Sequence, residues 1–133
     1  MNPVTQEHPY GCAVACAAAL CGMRYTHALK LFTHPSAAAA KGYYCTDICA
    51  ALLRNGKRYR YGKLSPQTRK QLERAGTIAF IARSKKYPAG HYLLKTEKGW
   101  MNPWINFPAI NPARSGFQKR LPGRVQWVIY EDT

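Results

Sequence analysis

Gln6, Cys12, His91 and Asn102 have the side-chain types and the chain order that acyl transfer needs. Cys12 follows Gly11 and opens an alanine-rich apolar run, so it falls at the start of an expected helix, where unpaired backbone amides favour a thiolate. A thiolate is the nucleophile for attack on an amide carbonyl, and a histidine partner takes and returns the proton. His91 follows Gly90 at the start of an expected strand, where an imidazole is both held and accessible. Asn102 lies past a turn on the expected neighbouring strand, and its carbonyl oxygen can accept the imidazole proton and orient the ring. Gln6, six residues before Cys12, can donate its amide to a tetrahedral oxyanion beside the Cys12 backbone amide.

The elements that must carry these residues are legible from composition and period. Cys12 to Met23 reads as a buried helix, apolar nearly all round and stopped at Gly22. Met1 to Gly11 reads as an extended arm and turn ahead of it. Thr26 is expected to cap a short helix over His27 to Phe32, with a further turn at Ser36 to Ala40. A third helix is expected over Thr46 to Arg54, stopped at Asn55-Gly56, and a fourth over Gln67 to Arg74, opened by Ser65-Pro66. The second half changes period. Lys57 to Tyr61, Thr77 to Arg83, His91 to Thr96, Trp100-Met101 and Val125 to Tyr130 read as strands, with a proline-rich loop over Asn102 to Pro112. Helices first and a small antiparallel sheet after them give an α+β class, with residues 1–133 as a single domain.

The same residues carry a family resemblance. Gln6-x5-Cys12, with Gly11-Cys12-Ala13-Val14-Ala15-Cys16 opening an apolar helix, resembles the start of papain-like cysteine peptidase domains, and more closely the C39-like group that includes bacteriocin-processing peptidases. Gly90-His91-Tyr92-Leu93-Leu94 resembles that group's histidine strand, and Trp100-Met101-Asn102-Pro103 its next strand, with Asn102 where an aspartate is usual. Gly42 to Gly56 resembles the group's second helical segment. The likeness spans roughly positions 6 to 103. It implies a papain-like fold in which N-terminal helices pack on a small antiparallel sheet. It further implies Cys12 as nucleophile, His91 as general base and acid, Asn102 as orienter and Gln6 as oxyanion donor, acting on a peptide or isopeptide bond. Some bacterial contact-dependent toxin domains resemble this fold and cut transfer RNA, which makes a ribonuclease the alternative enzyme and a non-catalytic basic binding module the alternative outside catalysis.

Charge bears on that choice. The 133 residues include 20 Lys and Arg against 6 Asp and Glu, a formal charge of +14. Eleven of the basic residues lie between Arg54 and Lys86, where Glu73 is the single acid. Such a field attracts polyanions, so RNA along that segment, or an acidic inhibitor or immunity protein, joins a peptide or protein substrate among the expected partners. Arg58, Arg60 and Lys63 are candidates for a nucleic-acid backbone, and Tyr43, Tyr44, Tyr59, Tyr61 and Tyr87 for stacking on bases or lining a cleft. His27 and His34 read as structural or surface residues. No cofactor is expected. Cys12, Cys16, Cys21, Cys45 and Cys49 are an odd set; two pairs stand at helical rather than metal-binding spacing and read as core, so no metal is expected either. No apolar run reaches membrane-spanning length, and the N-terminus lacks a basic region followed by an apolar stretch. The expected location is cytoplasmic, or the cytoplasm of a target cell reached by an effector.

Overall fold

A computed structural model describes residues 2–133; Met1, the first residue of the expected arm, lies outside the described residues. Alanine density makes the first helix, α1 (Cys12–Cys21), and small side chains let it sit in the centre of the core, with Cys12 through Ala19 all buried. Gly22 ends it in the left-handed region at φ 65°, and Met23 N–H returns to Ala18 O at 2.9 Å in a Schellman-type stop. Short helices α2 (Tyr25–Leu29) and α3 (Ala37–Ala40) follow, then α4 (Cys45–Arg54). Asp47 accepts from the Tyr44 N–H at 2.8 Å and so anchors the first turn of α4.

The sheet comes from the second half: β1 (Tyr59–Lys63), β2 (Ile78–Ile81), β3 (His91–Thr96), β4 (Gly99–Asn102), β5 (Gly116–Gln118) and β6 (Val125–Glu131), with α5 (Pro66–Gln71) between the first two. Its order is β1-β6-β2-β3-β4-β5, and every pairing is antiparallel. The class is therefore α+β. Alternation along the strands divides the side chains between two apolar layers. Ile78, Tyr92, Leu94, Met101 and Ile129 join α1 and α4 in the larger core. Ala79, Ile81, Leu93 and Trp100 face the other way and are covered by Leu72, Phe107, Leu121 and Val125.

Several boundaries move for physical reasons. The second helix starts at Tyr25, not after a Thr26 cap, because the Tyr25 ring is drawn into the core beside Gly11 and bonds His8 Nδ1 through its hydroxyl at 2.9 Å. β1 begins two residues later than the basic alternation suggests, because Lys57 N–H is held by Leu52 O in the turn after α4. α5 stops at Gln71 rather than Arg74. The three-residue β5 is absent from the sequence reading, being too short to show a period.

Candidate active site

Two glycines admit the key residues. A side chain at Gly11 would overlap the Tyr25 hydroxyl, so only glycine lets the chain enter α1 at Cys12 against that ring. Gly90 adopts φ +78°, and a Cβ there would overlap the Phe80 ring, so the residue before His91 is equally constrained. His91 then pairs with Ile81, beside an irregularity between Phe80 and Ile81 where β2 meets β6.

His91 and Asn102 are brought together. His91 Nε2 lies 2.7 Å from Asn102 Oδ1, and both side chains are buried. The surroundings of Asn102 settle which atom donates. Its Nδ2 donates to Tyr87 Oη at 2.9 Å and to Gln118 Oε1 at 2.8 Å, while its Oδ1 also accepts from Trp104 N–H at 3.0 Å. Gln118 is itself fixed, because its Nε2 donates to Arg120 O at 2.7 Å. Oδ1 is thus an acceptor, and the imidazole must carry its proton on Nε2. Nδ1 keeps the lone pair and has no hydrogen-bond partner among the described residues. The Tyr87 ring stacks on the imidazole with centroids 4.1 Å apart and planes 7° from parallel, and its hydroxyl donates to Trp104 O at 3.0 Å.

Cys12 and His91 line one cavity of about 1150 Å³. No hydrogen bond joins them among the described residues. Burial pushes the Cys12 thiol up to about 11, against the lowering effect of the Tyr92, Ala13 and Cys12 backbone. Burial also pulls His91 down to about 4, opposed by the bond to Asn102 and reinforced by Lys86. The sequence expectation of a helix-stabilised thiolate is therefore corrected. The amides act in the expected direction, but loss of water outweighs them and both groups rest neutral.

Gln6 is buried, yet it is not among the residues that line the cavity. Its backbone N–H donates to Pro103 O at 3.2 Å, tying the arm to the Asn102 turn. Its Nε2 donates to His8 O at 3.0 Å and Pro9 O at 3.2 Å, while Oε1 has no partner. In this conformation its amide holds the turn before Cys12 rather than facing an oxyanion.

The remaining singled-out residues separate clearly. Tyr43 and Tyr87 are buried on the cavity wall, whereas Tyr44 and Tyr61 are exposed there. Tyr59, on the edge strand β1, packs against the larger core and donates to Gly76 O at 2.8 Å. His27 and His34 are exposed. All five cysteines are free, and among the described residues no group of three His, Cys, Asp or Glu side chains is placed to hold a metal ion. Among the described residues no helix is long and apolar enough to cross a membrane. Sequence reasoning missed Tyr87 and Gln118 as supports of the His91–Asn102 pair. A tyrosine four residues before the histidine was the available signal for the first, while Gln118 sits on the strand that shows no period. No protein-family model matches the chain, and no curated protein matches it either.

Proposed function

We propose that the chain is a papain-like cysteine hydrolase, of C39-like type, that cleaves a peptide or isopeptide amide through Cys12, His91 and Asn102. The observation that carries this reading is the buried 2.7 Å His91–Asn102 bond, which leaves Nδ1 unbonded on a residue that lines the same cavity as Cys12. Because both groups rest neutral, proton transfer accompanies attack. The Cys12 proton passes to His91 Nδ1 as Sγ bonds to the carbonyl carbon. The oxyanion is held by the Cys12 backbone N–H, with the Gln6 amide remaining on the His8 and Pro9 carbonyls of the turn before it. The C–N bond then breaks, and the departing amine takes the proton from His91. Water attacks the thioester with His91 again as base, which releases the acid and restores the thiol.

A second reading, His91-dependent cleavage of RNA, is supported by the exposed Arg58, Arg60 and Lys63 around β1. Phosphodiester cleavage has no use for a thiol, so Cys12 separates the two. Mass spectrometry of a peptide library digested by the protein should reveal new termini. Cys12→Ala and His91→Ala should each reduce their formation by about 10⁴-fold or more. Full library cleavage by Cys12→Ala contradicts the proposal, and RNA cleavage that survives Cys12→Ala but not His91→Ala favours the second reading.

A further inference from the structure

Exposed rings gather at the candidate site. Tyr10, Tyr44 and Tyr61 are 37%, 76% and 41% exposed, which sets them among the few large apolar side chains left open to water, and all three line the cavity that holds Cys12 and His91. Chance scatter of surface apolar residues does not concentrate them on one concavity, and such clustering marks a binding surface. Trp127 adds a ring edge-on to Tyr61, with centroids 5.9 Å apart.

The fixed charges on the wall have one sign. Lys41 and Arg83 line the cavity, and no aspartate or glutamate does. Two more cations lean over wall aromatics: Lys63 Nζ lies 5.8 Å from the Trp127 ring centroid, and Lys86 Nζ lies 5.7 Å from that of Tyr87. None of these four is in a salt bridge among the described residues. A volume of about 1150 Å³ lies just above the usual range for small-molecule pockets and suits several residues of an extended chain.

We infer that the substrate is an acidic polypeptide segment bearing an aromatic or large apolar side chain, a substrate class that rests on the hydrolase reading above. The rings take up the apolar side chain, and Lys41 and Arg83 take up neighbouring carboxylates. RNA fits this cavity less well. It carries a charge at every nucleotide, whereas the wall is mostly apolar, with two cations lining it and two more over its aromatics, and the basic Arg69, Lys70 and Arg74 at α5 and just beyond it are not part of that wall.

Two fluorogenic peptides with the same aromatic centre, one flanked by Asp and Glu and the other by Asn and Gln, test this. The acidic peptide should show the higher kcat/KM, by about twofold to thirtyfold for two screened ionic contacts. Added salt should shrink the ratio. Lys41→Gln with Arg83→Gln should bring it toward one, and either single variant supplies the comparison if the pair does not fold. Lys119→Gln, off the cavity, should preserve it. Equal Cys12-dependent cleavage of both peptides overturns the substrate class and leaves the hydrolase reading standing. Cleavage of neither peptide, with a library that is cleaved, also overturns the substrate class. Loss of both cleavages, with RNA cut instead, overturns the two together.

Discussion

At the residue scale, His91 is held by three kinds of contact that do different things. Asn102 fixes its tautomer, Tyr87 fixes its plane, and burial removes its charge. The last of these ties the site to stability. The folded-state value near 4 lies below the ordinary 6.5, so the unfolded chain binds more protons between those two values. Stability contributed by neutral His91 is full above about pH 6.5, is lost as pH falls toward 4, and amounts to about 3 kcal/mol across that window. Urea unfolding at pH 7 and pH 4 should show this loss in the native protein. His91→Gln, which cannot titrate, should lose less stability over the same interval; equal losses in both proteins would mean that His91 is not held neutral. Activity should persist on the acid side to about pH 4, where the base is consumed.

At the element scale, α1 sets the position of Cys12, and Gly11 sets the position of α1. A methyl group at Gly11 meets the Tyr25 hydroxyl, so Gly11→Ala should destabilise the fold by about 1–3 kcal/mol in urea unfolding. Adding Tyr25→Phe removes the obstructing oxygen and should recover part of that loss, although it also gives up the bond to His8. Strict additivity of the two substitutions would place the strain elsewhere. The helices and long strands were legible because their signals are local: alanine density for α1, capping chemistry for α5, and Gly90-His91 at the head of β3, which starts and ends at the residues its sequence suggests. β5 and the start of α2 were not legible, because one is too short for a period and the other is placed by the burial of a single ring.

At the scale of the whole molecule, two long-range facts matter that no local pattern contains. One is that residues 79 positions apart in the chain, Cys12 and His91, share a cavity. The order of motifs suggested it, but only the packing of α1 against β3 provides it. The other is where the charge goes. Arg74 pairs with Glu131 at 2.8 Å and Arg60 with Asp132 at 3.9 Å, both on exposed surface where such pairs contribute little. That neutralises only part of the basic segment from Arg54 to Lys86, and Arg83 from the same segment turns onto the cavity wall. Sequence showed the excess of cations but not which of them face the site. It likewise placed Gln6 at oxyanion spacing, whereas folding engages its amide with the carbonyls of His8 and Pro9.

The central claim is that Cys12 is an acyl acceptor served by His91. Its most direct test is acid-quenched mass spectrometry after mixing the protein with an activated ester of N-acetylphenylalanine at pH 7. The expected result is one acyl group mapped to Cys12, absent in Cys12→Ala and formed at least about 10²-fold more slowly in His91→Ala. Acylation spread over Cys21 and Cys49, which are more exposed, or a Cys12 rate unchanged by loss of His91, would contradict it.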